Sequence, residues 1–261
     1  MKYVAVSGGA DSTALALLMH ERGEEFEMVF ADTGAELPET YYTLARLAHF
    51  LDKRLIVVNN GTFFHWLTNK GYLLPAVFCR WCTRLLKQQP QDAFFEKDPT
   101  AIVYVGIRAD ESHRMAPKCD PVSEQLTLAG GVQKHSRRTE KPYVVGRPLV
   151  DAGYDKRDVM RLCEKYDLLN PVYSWRSNVS CFCCFFQKKS DWLGLLKHHP
   201  ELYALAEQWE EMSSYWTQKM GAGARYTWRE KGTLQGLRTA DEAQLKAWPE
   251  PDEEPCAICS W

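Results

Sequence analysis

The sequence predicts an α/β protein built on an open, mostly parallel sheet, and three observations predict it. Short apolar segments at residues 2–6, 26–31, 54–58 and 101–106 alternate with stretches of helical spacing. Strands separated by helices pair in parallel through right-handed crossovers, which covers both faces of the sheet. Glycines and chemistry-bearing side chains gather directly after three of those segments, at residues 7–12, 32–34 and 106–110. Ligands on such sheets sit beyond the carboxyl ends of the strands. A chain of 261 residues has room for one domain and an appendage. We expect an α/β domain at residues 1–150 and a smaller helical, cysteine-rich region at 151–261.

Each element follows from its residues. The apolar run 2–6 leads into a helix at 13–21 with Leu15, Leu18 and Met19 on one face. The second strand, 26–31, ends at Asp32-Thr33-Gly34. Pro38 and Glu39 open a helix to about Asp52, in which Leu44, Leu47 and Leu51 recur near helical spacing. A third strand at 54–58 closes on Asn59-Asn60-Gly61, and the aromatic stretch 62–72 reads as helix. A further helix at 82–96 meets Pro90, whose ring lacks an N–H and should interrupt or kink it. After the fourth strand, residues 112–142 are polar and aperiodic and read as a long loop. Val144 and Val145 add a fifth strand. Residues 155–166 form an amphipathic helix, Asn170-Pro171 a turn, and 202–215 the longest of the late helices. His198 and His199 stand where that last helix begins, a position that suits capping and packing.

The opening turn, Ser7-Gly8-Gly9-Ala10-Asp11-Ser12, carries the strongest chemical signal. Two glycines allow a sharp turn and a close approach of backbone to ligand. The N–H groups of the helix that follows, with its dipole, then favour an anion. Gly, Asp and Ser also make ordinary turns, but strand, glycine pair and hydroxyl-bearing helix start in this order favour a phosphate loop. It is neither a Walker A loop nor a GxGxxG turn. Asp32, after the second strand, is either a magnesium ligand through its carboxylate or a turn cap. Arg108, after the fourth strand, is either a phosphate clamp or the partner of Asp110 and Glu111.

The chain has nine cysteines and no apolar run of membrane length, and its first residues read as a strand rather than a secretory leader. We therefore expect a cytoplasmic protein with no membrane partner, in which paired cysteines mean metal or redox chemistry. Cys79/Cys82, Cys181/Cys184 and Cys256/Cys259 are CxxC pairs. Two such pairs complete a four-sulfur shell for zinc or an iron–sulfur cluster. We expect Cys181, Cys184, Cys256 and Cys259 to be the ligands; Cys119 and Cys163 read as buried hydrophobic thiols. A formal net charge of −2 gives no global pull toward nucleic acid. The basic residues 134–138, with Arg114, Lys118, Arg147, Lys188 and Lys189, are either a local nucleic-acid path or a solvated charged surface. Trp192, Trp209 and Trp216 fit helix cores better than base-stacking platforms.

The motifs also carry a resemblance. Ser7, Gly8, Gly9, Asp11 and Ser12 fit the SGGxDS signature of the PP-loop ATP pyrophosphatases. Asp32-Thr33-Gly34 with Pro38-Glu39-Thr40 resembles the DTG…PET segment of the phosphoadenosine phosphosulfate (PAPS) reductase-like family. Residues 80–87 with Pro90 resemble its RWCT…LK…P segment, and Gly106-Ile107-Arg108 through Ser112 its GxR…ES segment. Pro148-Leu149, Asp158-Val159 and Asn170-Pro171-Val172-Tyr173 resemble its PL…DV…NPxY region, so the likeness covers roughly residues 2–190. The chain keeps Asp11 and lacks the Glu-Cys-Gly-(Ile/Leu)-His ending of true sulfonucleotide reductases. It looks closer to the phage-type and DNA-sulfur-modification members.

That resemblance implies an adenine nucleotide alpha-hydrolase-like sheet and adenylation of an acceptor, with ATP and Mg2+ giving AMP and pyrophosphate. Asp11, Ser12 and Arg108 would be catalytic. Ser7, Gly8, Gly9, Asp11, Ser12, Asp32, Thr33, Gly34, Gly106 and Arg108 would bind the nucleotide. It implies a [4Fe–4S] cluster, with Zn2+ as the alternative and Cys82 as an alternate ligand, where the related adenylylsulfate reductases supply one, and nucleic acid or a sulfur-donor protein of the cysteine desulfurase type as partner. A thiol-dependent PAPS or adenylylsulfate reductase, and a non-catalytic nucleotide-binding subunit of a modification or defence complex, are the competing readings.

Overall fold

The computed structural model describes residues 1–77, 79–114, 124–126, 132–134, 143–221, 227–229 and 232–247. Five parallel strands form the main sheet: β1 (Lys2–Val6), β2 (Glu27–Ala31), β3 (Leu55–Val58), β4 (Ile102–Tyr104) and a last strand at Val144–Gly146. Within the stretch expected to be a loop, β5 (Glu124–Leu126) and β6 (Val132–Lys134) pair antiparallel, so the segment at Val144–Gly146 is β7. The long-loop reading missed that pair, because three residues are too few to show a period of two.

The sheet order is β3-β2-β1-β4-β7. From β1 the chain winds outward through β2 to β3, then crosses back to lay β4 on the other side of β1. The order therefore reverses between β1 and β4, and a crevice opens at that switch point beyond the strand ends. The turns after β1 and β4 flank it.

Helix α1 (Ala10–Glu21) was expected to present one apolar face. Instead Ala10 and every residue from Ser12 to Met19 are buried. The reason lies far along the chain. Helices α5 (Pro148–Asp151) and α6 (Lys156–Lys165) cover the side of α1 that the sheet leaves open. Leu149, Val159, Leu162 and Cys163 share one core with Leu15, Leu17, Met19 and Phe30. A helix apolar all round is an interior helix, and each buried Leu contributes about 1.5–3 kcal/mol of apolar transfer. This core draws on residues from both sides of residue 150.

Asp155 begins α6 with a reciprocal cap, accepting from the N–H groups of Arg157 and Asp158 while Asp158 reaches back to the Asp155 N–H. The N–H groups and the Arg157 guanidinium hold the Asp155 carboxyl down at about 2. A depressed folded-state value means that its contribution is whole above the ordinary 3.8 and is lost as pH falls through about 2. Asp155→Ala should therefore lower the melting temperature at neutral pH and flatten its fall between pH 4 and pH 2, read by circular dichroism.

On the other sheet face, Tyr3, Val29, Phe95, Val103 and Tyr143 form a second core. Pro90 does interrupt its helix: a π-helical turn at Thr83–Gln88 precedes α4 (Gln89–Phe95), with Pro90 in the first turn of α4. The wider turn spares the clash a proline ring makes inside an α-helix.

The third core is aromatic. It joins α3 (Phe63–Asn69), α7 (Lys189–His198), α8 (Pro200–Lys219) and α9 (Leu234–Thr239), while α10 (Glu242–Ala247) packs Leu245 against it. Trp192 and Trp209 are buried there, with Phe63 stacked on Trp209 at 5.3 Å, as expected of core tryptophans. Trp216 stacks on Tyr72. Ala35 and Leu37, from the loop after β2, belong to the same core. No helix among the described residues is long and apolar enough to cross a membrane.

Candidate active site

The glycine loop leaves β1 and enters α1 through two backbone devices. Gly8 has φ of +73°, and a Cβ there would stand 2.9 Å from the Thr40 methyl. Only glycine meets both conditions without strain. Ser12 then staples the turn. Its Oγ accepts the Ser7 N–H at 3.0 Å, donates to the Gly9 carbonyl at 3.1 Å and lies 3.1 Å from the Ser7 Oγ. At 3% exposure the Ser12 hydroxyl faces inward. It shapes the cradle.

Across the switch point Arg108 meets the loop. Its Nη1 donates to both carboxylate oxygens of Asp11, at 2.9 and 3.0 Å. Its Nε donates to Asp110 at 2.9 Å, and its Nη2 lies 3.4 Å from Glu111. Burial alone would lower the Arg108 pKa, but the charge of Asp11 and the hydrogen bonds to Asp110 and Asp11 outweigh it and raise it. Arg108 therefore pairs with Asp110 and Glu111, as one of its two readings had it, and also reaches Asp11 of the glycine loop. Gly106 makes that meeting possible. A Cβ at Gly106 would lie 2.9 Å from the Asp11 carbonyl carbon and 3.0 Å from the Ser12 nitrogen, so the strand end packs directly on the α1 backbone.

The loop after β2 points elsewhere. Asp32 Oδ1 accepts the Gly34 N–H and the Tyr41 hydroxyl, the turn-capping arrangement. Thr33 is buried, donates to Glu36 Oε1 at 2.8 Å and lies 3.3 Å from the Cys181 Sγ. Thr33 therefore serves the cysteine segment, as the Phe182 N–H on the Ala35 carbonyl also shows.

Cys82, Cys181, Cys183 and Cys184 line one cavity with Thr33, Phe63, Ser180 and Lys87. The buried Arg176 lies beneath it, donating to Ser180 and to the Cys181 carbonyl. Burial pushes the Cys183 thiol well up, and the neighbouring Cys181 and Cys82 add to that. Among the described residues no three Cys, His, Asp or Glu side chains stand close enough to hold one metal ion. Of the expected ligands, Cys256 and Cys259 lie outside the described residues. Cys163 is buried under the loop with its Sγ on the Ala10 carbonyl, and burial pushes that thiol up to about 12. His199 Nε2 lies 2.7 Å from Glu39 and ties the start of α8 to α2. Of the basic residues weighed as a nucleic-acid path, Lys118 and 135–138 lie outside the described residues.

Two site residues were named in the sequence without a role. Asn170 donates to the Gly8 carbonyl at 2.9 Å, and the Tyr173 hydroxyl accepts the Ala10 N–H at 3.0 Å. The Asn-Pro start of the turn at Pro171–Ser174 was the available signal, since Asn caps such turns.

Fold and loop define an open-sheet α/β protein with a glycine-loop helix start and a carboxylate-held arginine at its switch point. Residues 2–126 match the phosphoadenosine phosphosulfate reductase domain. An uncharacterized protein of Methanocaldococcus jannaschii, MJ0066, is 25% identical over 232 residues, covering 88% of this chain and 44% of that protein. The uncharacterized nin region protein ORF290 of Escherichia phage lambda is 31% identical, covering 44% of this chain and 50% of that protein. The chain spans half or less of the length of these relatives. The crystal structure of PAPS reductase from Candida auris in its phosphate complex superposes with a TM-score of 0.47 at 14% identity, over 69% of this chain and 80% of that one.

Proposed function

We propose that this protein is an ATP pyrophosphatase that transfers the adenylyl group of ATP to an acceptor. The observation that carries the reading is the Asp11–Arg108 pair, which joins a glycine loop to a guanidinium at the switch point. In the reaction an acceptor oxygen attacks the α-phosphorus and the α–β anhydride bond breaks. Pyrophosphate leaves with the bonding pair, and the acceptor proton passes to solvent. The α1 N–H groups and the Gly8–Gly9 turn hold the leaving pyrophosphate, and Arg108 balances the charge that develops on it.

Three carboxylates surround one guanidinium, so the crevice is acidic before any phosphate arrives. A polyphosphate entering alone meets repulsion, and a divalent cation removes it. Asp11 is the carboxylate placed to reach Mg2+, whose charge would neutralise the phosphate oxygens when bound. Engaging Asp11 that way frees the Arg108 fork for the phosphates.

For the acceptor, the thiol-lined cavity beyond β2 supports sulfur chemistry, with nucleic acid as the substrate class and a cysteine desulfurase-type donor as partner. The described thiols alone do not fit a four-sulfur cluster shell. That part of the reading needs Cys256 and Cys259, and the adenylation step does not depend on it.

The purified protein with ATP, Mg2+ and nucleic-acid acceptors should release AMP and pyrophosphate, and chelating the metal should abolish release. Products of ADP and phosphate, or no nucleotide binding at all, would overturn the assignment.

A further inference from the structure

The short helical turn at Pro171–Ser174 is seated on the glycine loop. Asn170, 2% exposed, gives its Nδ2 to the Gly8 carbonyl and takes the Val172 N–H on its Oδ1. That double bond to loop and turn fixes where Tyr173 stands. The Tyr173 oxygen accepts the Ala10 N–H, and a Cβ on Gly9 would lie 3.7 Å from it. The phenol therefore sits at the start of α1, where an anion-binding loop exposes its donors. It occupies one of those donors. A phenol that accepts one hydrogen bond still has a proton of its own to give. Burial raises the Tyr173 pKa and the charge of Asp11 raises it further, so the proton stays in place at neutral pH.

We infer that Tyr173 is a ligand-binding member of the phosphate loop: it takes up the Ala10 N–H and donates its own O–H to an oxygen of a pyrophosphate unit. A helix start supplies N–H donors at fixed angles. A phenol reached from 163 residues away adds an O–H donor whose rotor can follow the anion. The inference rests on the nucleotide reading above and adds to it a residue from outside the loop that recognises the pyrophosphate unit.

The test compares the full chain with Tyr173→Phe by calorimetry against Mg-ATP, inorganic pyrophosphate with Mg2+, and AMP, with melting curves of both proteins without ligand. A hydrogen bond to a charged group corresponds to a loss of about tenfold or more in affinity. Tyr173→Phe should lose about that factor for ATP and for pyrophosphate, with AMP affinity and melting temperature unchanged. Equal affinities for all three ligands in the two proteins would overturn the role of Tyr173 and leave the nucleotide reading standing. A uniform loss that includes AMP, or a drop in melting temperature, would mean a packing role and overturn it equally. If the unaltered protein binds neither ATP nor pyrophosphate, both readings fall.

Discussion

Arg108→Ala should lower pyrophosphate release by about 10²–10³-fold, the usual effect of deleting one preorganised charge-stabilising group. The guanidinium is held at three carboxylates and its side chain is 15% exposed, so its position is fixed before substrate arrives. Removing it also leaves Asp11, Asp110 and Glu111 facing one another without their shared cation. The variant should therefore require more Mg2+ than the unaltered protein to reach half-maximal rate. Arg108→Lys separates the two effects: it restores the charge but not the fork whose separate nitrogens reach Asp11, Asp110 and Glu111. It should recover the Mg2+ requirement and only part of the rate. Titrating Mg2+ at saturating ATP for the three proteins reads both quantities. An Arg108→Ala protein with full activity would remove the guanidinium from the reaction.

The second large effect belongs to a residue with no side chain. Gly106→Ala introduces a methyl 2.9 Å from the Asp11 carbonyl carbon and 3.0 Å from the Ser12 nitrogen. Both are backbone atoms of a helix buried on every side, so neither can swing away as a side-chain tip would. Overpacking of this kind costs about 1–3 kcal/mol, and the upper end applies where backbone must shift. The shift also moves Asp11 relative to Arg108, so activity should fall more than stability does. Urea denaturation followed by tryptophan fluorescence gives the first quantity, and pyrophosphate release at a temperature where the variant is fully folded gives the second. A Gly106→Ala protein of unchanged midpoint would show that the contact yields easily.

What was legible in the sequence was whatever is encoded locally. The strands were short apolar runs, and the loop between β1 and α1 was a string of six residues whose composition allows little else. Pro90 announced an interruption, though not that the chain would solve it with a π-turn. What was not legible depends on neighbours distant in the chain. The periodicity of residues 13–21 gave α1 one face, because nothing local says that α6 arrives to cover the other. Ser12 has the composition of a phosphate ligand, yet its hydroxyl closes the turn once Ser7 and Gly9 are placed around it. Thr33 sits in a motif next to the nucleotide edge, yet its bonds run to Glu36 and Cys181. Asn170 and Tyr173 were visible as letters only.

Those long-range bonds bear on how the protein comes to be made. The contacts that finish the phosphate loop span 162 and 163 residues, and the one from Thr33 to Cys181 spans 148. Closing loops of that size is slow because their entropy must be lost before the contacts reward it. During synthesis the sheet can begin to assemble early, but the Gly8 carbonyl and the Ala10 N–H wait for residues 170–173 to emerge from the ribosome. A nascent chain therefore carries an unfinished glycine loop until residues 170–173 have been made. The glycine loop is completed late, together with the segment that carries the cysteines.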